Sequence, residues 1–180
     1  SLSLISEMLN NSRRIILQNN AKHFMLWGIL LTVTSLVIYE LWHITGSPVW
    51  NCAWFAMPAL GFPIVRILDR KNTDVPQNVI NKQLGLIWLT YCIFAVSISV
   101  IAMLAVPMNI SLVIVVLLGF AESISGFLLK NWAITLGGFI LGIGGAVFAS
   151  MVHNEAQLLI FTFGGIILVV TGLIIKFQYK

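Results

Sequence analysis

Six apolar runs dominate this chain of 180 residues, each close to the ~20 residues a helix needs to cross a bilayer core. They cover about 24–42, 48–68, 84–105, 109–129, 132–152 and 156–175. All ten Lys and Arg side chains fall at the chain's ends or in alternate connections. Arg13, Arg14 and Lys22 precede the first run, and Arg66, Arg70, Lys71 and Lys82 lie around the connection between the second and third. Lys130 separates the fourth and fifth, and Lys176 and Lys180 close the chain. The other three connections contain neither Lys nor Arg. Insertion disfavours carrying these cations across the bilayer, so the basic side reads as cytoplasmic.

Only 9% of the residues are charged and 59% are hydrophobic, whereas soluble domains carry about 25% charged residues. Such a chain cannot cover a water-facing surface, so its excess apolar surface is expected to face lipid. Its net basic charge sits in short loops and ends, where topology and anionic headgroups account for it. Nucleic acid is therefore not expected as a partner. The expected fold is an all-α integral membrane protein, a six-transmembrane helical bundle with both termini cytoplasmic. The short outer connections, around 43–47, 106–108 and 153–155, predict three antiparallel hairpins.

Residues 1–22 stand apart as a cytoplasmic amphipathic helix, and 23–180 form the six-span bundle. At a helical period Leu2, Leu4, Ile5, Met8, Leu9, Ile15 and Ile16 share one arc, and Glu7, Asn10, Asn11, Arg13 and Arg14 the other; Leu17 is the exception. Such a helix either lies at the lipid interface or docks a protein partner through residues 1–20. Cys52 and Cys92 sit in apolar runs, where small core residues are expected.

Glu122 is the one acidic group well inside a run. An ionisable residue at that depth faces a bundle interior or a water-filled cavity. Gly119, Glu122, Ser123, Gly126 and Lys130 share one helical face, so Glu122, Ser123 and Lys130 make up a candidate intramembrane polar site. Glu122 there either takes up a proton or a cation, or serves packing as a hydrogen-bonded neutral acid. In the second run Pro58 and Pro63 flank Gly61, which predicts a kink or hinge. In the fifth, Gly138, Gly142, Gly145 and Ala149 form a small-residue stripe. Its expected mates are the fourth run, or the sixth through Gly164, Gly165 and Gly172.

At the outer rim Glu40 and His43 share a helix face, and His153 and Glu155 lie in another connection. Imidazole with carboxylate suits zinc, but these short patterns are only weak metal candidates. Ser123-Ile-Ser125-Gly126 resembles part of an intramembrane serine protease motif. It lacks the histidine base on the sixth run that would activate a serine. No phosphate loop or zinc-protease motif is present, and no cofactor is implied.

The segments Leu4 to Met8, His23 to Gly28, Trp54 to Pro58 and Gly126 to Gly138 resemble an uncharacterised family of small bacterial inner-membrane proteins with about six spans. The likeness covers most of the chain. It implies a bacterial inner-membrane location and supplies no activity, ligand or catalytic residue. The leading expectation is a non-enzymatic sensor, regulator or scaffold that works through partner contacts, with lipid around it and homo-oligomers open. The alternative is a small proton- or cation-coupled transporter or channel that uses Glu122.

Overall fold

The computed structural model describes residues 2–70, 79–106 and 108–179, with only the backbone of Leu2 and Ser3. The Val75–Pro76 pair, whose proline predicts a break in the longest inner loop, lies outside the described residues, as do Lys71, Pro107 and Lys180. Among those residues every regular element is helical. Helix α1 spans Leu2–Thr45, and a 3-10 stretch, Pro48–Phe55, leads into α2, Ala56–Asp69. Helices α3 (Val79–Leu104) and α4 (Ile110–Leu129) follow. Helices α5 (Trp132–Phe139) and α6 (Gly145–Met151) are joined through a π-helical turn at Ile140–Gly144, and a 3-10 turn, Asn154–Gln157, opens α7, Leu158–Gln178. Among the described residues six helical stretches are long and apolar enough to cross a membrane.

The boundary expected near residue 22 is not a break. Helix α1 runs unbroken for 44 residues, roughly 66 Å at about 1.5 Å per residue. That is about twice the ~30 Å hydrocarbon core of a bilayer. Polar contacts show where the helix passes the end of the bundle. Arg13 Nε donates to the carbonyl of Leu128, Gln18 Nε2 to that of Tyr179 and Lys22 Nζ to that of Leu68, at 3.3, 2.6 and 3.1 Å. These carbonyls close α4, α7 and α2, so three helices end together at the level of residues 13–22. We call this the basic end.

Ile16 and Leu17 are buried there, while Leu4, Ile5, Met8 and Leu9 remain exposed on the overhanging turns. The docked face therefore includes Leu17, which falls outside the apolar arc drawn from the sequence. A helix in contact with neighbours on several sides buries more than one stripe.

Helix α1 packs chiefly along α7, and α4 chiefly along α5. Consecutive α1–α2 and α3–α4 also touch, but they are not the most intimate pairs. Small residues explain the choice, because they let backbones approach until main-chain atoms touch. A Cβ on Gly28 would lie 2.5 Å from the Gly165 carbonyl oxygen, and one on Gly172 2.8 Å from that of Ala21. A buried hydroxyl pair, Ser35–Thr162 at 2.9 Å, joins the same two helices. Between α4 and α5, a Cβ on Gly119 would collide with the Gly142 backbone and one on Gly138 with that of Ser123.

The fifth-run stripe thus meets α4 through Gly138 and Gly142. Gly145 faces both Val115 and Ile160, and Gly164 faces Leu141. Gly165 and Gly172 turn away from the fifth run and pack on α1.

Helices α2 and α3 lie at the rim. Gly61 is the buried residue of α2, and Ile80 and Leu84 are those of α3. Gly61 seats the Trp27 ring, since a Cβ there would fall 2.5 Å from Trp27 Cη2. That gives it a packing contact at the position where a hinge was expected. Pro63 lies inside α2, and Pro58 in its first turn. Cys52 and Cys92, expected in the core, are both exposed. In an apolar phase a hydrophobic run does not distinguish an inward from an outward position.

Candidate functional site: a buried carboxyl between three helices

Helix α4 is held at both ends. The Asn109 Oδ1 accepts from the Leu112 N–H at 3.0 Å, an N-cap that satisfies one otherwise unpaired donor. At the other end Lys130 N–H donates to the Phe127 carbonyl and Asn131 N–H to that of Gly126, at 3.2 and 2.9 Å. This is the pair of bonds of a Schellman closure. Asn131 then caps α5 by accepting from Ile134 N–H at 3.1 Å. A two-residue turn therefore fixes α5 against α4, and the glycine contacts above continue that fit along both helices.

Glu122 is 0% exposed. Its carboxyl points at the place where Gly137 of α5 lacks a side chain. A Cβ there would lie 3.0 Å from Glu122 Oε1, 3.1 Å from Thr171 Oγ1 and 3.4 Å from Ile167 Cγ2. The carboxyl thus sits where α4, α5 and α7 meet, and the atoms that face it across Gly137 carry no charge. Among the described residues neither carboxyl oxygen has a hydrogen-bond partner. A buried polar group left unsatisfied costs about 1–3 kcal/mol, and more if charged.

The three residues expected to share this site are not together. Ser123 donates to the Thr135 carbonyl on α5 at 3.4 Å, and Lys130 is exposed at the end of α4. The structure brings in Gly137 and Thr171 instead. Thr171 was open to discovery as one of two threonines in a run otherwise almost free of polar groups. Nothing in the sequence says that it would face Glu122. The π-helical turn at Ile140–Gly144 follows directly. Such turns insert a residue into the helical ladder and recur at functional sites.

Ser125, the serine of the protease-like segment, donates to the Ala121 carbonyl of its own helix at 2.7 Å. At the opposite rim His43 Nδ1 and Glu155 Oε1 are 3.3 Å apart, which joins two of the four weak metal candidates. Glu40 and His153 do not complete the set: among the described residues no group of three His, Cys, Asp or Glu is placed to hold a metal ion. At the basic end His23 Nε2 meets Asp69 Oδ1 at 2.8 Å, and Lys22 Nζ is 3.6 Å from the same oxygen.

No protein-family model, curated protein or solved structure matches this chain. Its class rests on its own features: among the described residues every regular element is helical, six helical stretches are fit to cross a membrane, and the Glu122 carboxyl is sealed where three helices meet.

Proposed function

We propose that this chain is a non-enzymatic, multi-pass membrane protein with a sensing or regulatory role, whose helix packing responds to protonation of Glu122. The observation that carries the reading is a fully buried carboxyl with two unpartnered oxygens. The proposed location is the bacterial inner membrane, with both termini and the overhanging turns of α1 in the cytoplasm. The one-sided cations support that orientation.

In this reading the packed junction holds the neutral acid. Loss of the proton would leave a charge without a counter-ion and would press α5 and α7 away from α4. Helix α7 lies along α1, so a shift of α7 reaches the exposed Leu4, Ile5, Met8 and Leu9, a face suited to a protein partner.

The sign follows from proton counting. The packed form binds the proton that an opened form releases, so packing weakens as pH rises. Thermal unfolding of the full chain in lipid nanodiscs across pH tests this. The midpoint should fall with rising pH in the native chain and stay level in Glu122→Gln, which keeps the shape and cannot ionise. Equal slopes in the two proteins would reject the reading.

A second reading, a proton- or cation-coupled transporter, draws on the same carboxyl and the adjoining π-helical turn. It requires proton-linked flux in liposomes that Glu122→Gln abolishes.

A further inference from the structure

The turn between α4 and α5 opens onto a groove of about 540 Å³ lined by Phe127, Lys130, Trp132, Thr135, Leu136 and Phe139. Its walls are apolar and open: Phe127, Leu136 and Phe139 are 62%, 49% and 45% exposed. Lys130 is the charged residue of this lining. Among the described residues no hydrogen bond or ion pair reaches its ammonium, whereas Arg13 and Lys22 are engaged with helix-end carbonyls.

Lys130 is also held in an unusual conformation. Its φ of +52° lies in the left-handed region, at the position of a Schellman closure that glycine ordinarily fills. The bonds on either side fix the turn and with it the root of the lysine side chain. Helix α5 begins two residues later, and the first N–H groups of a helix carry partial positive charge. Trp132, which favours the headgroup level of a bilayer, stands in the same lining. A cation on a fixed backbone root, a helix N-terminus and an indole thus line one apolar groove. That set is complementary to an amphiphile with one anionic group and a hydrocarbon tail.

We propose that this groove binds one anionic phospholipid of the cytoplasmic leaflet, its phosphate at Lys130 and the start of α5, and one acyl chain along Phe127, Leu136 and Phe139. The proposal rests on the membrane orientation given above. A free phosphate would leave the apolar walls uncovered, and a zwitterionic lipid would bring its own cation to Lys130.

Native mass spectrometry of the full chain in detergent tests it, with phosphatidylglycerol and phosphatidylcholine of matched acyl chains as probes. Phosphatidylglycerol should be favoured roughly fivefold, the factor that one Lys contributes at an anionic surface. Lys130→Gly removes the cation at a position where glycine is conformationally at ease, so the turn is kept. It should bring the ratio to about one while tail binding persists. Leu136→Trp, at an exposed wall, should fill the channel and reduce both lipids.

Three results would overturn the proposal: no preference in the native chain, a preference that survives Lys130→Gly, or displacement of phosphatidylglycerol by inorganic phosphate. Alkaline carbonate extraction of cell membranes reports separately on the membrane reading. A chain that stays in the pellet but shows no lipid preference refutes the groove alone, and a chain released into the wash refutes the membrane integration beneath it.

Discussion

Arg13 Nε and the Leu128 carbonyl oxygen meet at 3.3 Å across 115 residues of sequence. The bond places a guanidinium on the C-terminal end of α4, where helix carbonyls lack partners and the helix dipole is negative. The neutral amide of Gln18 donates likewise at the end of α7, and the ammonium of Lys22 at the end of α2. The one-sided cations of the sequence therefore have a second use, since three of these helices present their negative ends where α1 presents its donors.

Arg13 and Arg14 separate the two roles. Both carry the same charge at the same level, but Arg14 is exposed and without a bond among the described residues. Arg13→Ala is expected to cost about 1.5–3 kcal/mol of stability, the range for a hydrogen bond to a charged group, and Arg14→Ala close to nothing. Denaturant unfolding in mixed micelles measures the difference. Equal losses would assign the stabilisation to charge in general.

Backbone contact between α4 and α5 leaves no room for a methyl group. Gly119→Ala and Gly138→Ala each drive a Cβ into the partner's main chain, with an expected loss of about 1–3 kcal/mol. Gly85 and Gly144 have open space around them. Alanine there should be neutral or slightly stabilising, because helices favour Ala over Gly by up to about 1 kcal/mol. Thermal melts of the four single variants decide the point.

Gly61 and Trp27 make a smaller version of the same test. A methyl at Gly61 displaces the indole, which also packs edge-on against Phe62 at 5.5 Å between ring centroids. Gly61→Ala should loosen α2 from α1 and leave α4–α7 intact. Faster backbone amide exchange confined to 56–69 and the facing turns of α1 is the expected signature. Exchange unchanged in α2 would count against the contact.

Orientation can be read from the two exposed cysteines. Cys52 lies in the 3-10 stretch near the end of the bundle opposite the basic one, and Cys92 lies midway along α3. A membrane-impermeant maleimide applied to intact cells should label Cys52 and leave Cys92 untouched. In Tyr179→Cys the new thiol should react only after permeabilisation. The reverse pattern would invert the topology.

Much of this architecture is legible in the residues. The run lengths yield six helical stretches of the right size, and Asn109 and Asn131 stand where helix caps belong. Neighbour choice was legible only in part: the fourth run was one of the two mates expected for the fifth-run glycines, and it is the one Gly138 and Gly142 meet. The period of a helix shows that Gly164, Gly165 and Gly172 are small positions on one run. It does not show that Gly164 meets Leu141 while Gly165 and Gly172 meet α1. The same limit applies to Glu122: its face could be drawn, but not Gly137 and Thr171 opposite it. Leu17, Cys52 and Cys92 were misplaced for a related reason. Where lipid and core are both apolar, hydrophobicity no longer reports which side is inside.

The pairing of α1 with α7 also bears on how the protein comes to be made. Among the described residues more than a hundred positions separate the end of α1 at Thr45 from the start of α7 at Leu158, and a ribosome adds about 5–20 residues per second. Helix α1 is therefore synthesised on the order of ten seconds before its main partner exists. During that interval the backbone-to-backbone seat at Gly28 and the hydroxyl of Ser35 have nothing from α7 to meet, so this contact closes late, between helices far apart in the sequence. A chaperone or insertase that shelters an early helix would act in this window. Nascent chains stalled before residue 158 should hold α4 against α5 while α1 is still free to exchange partners.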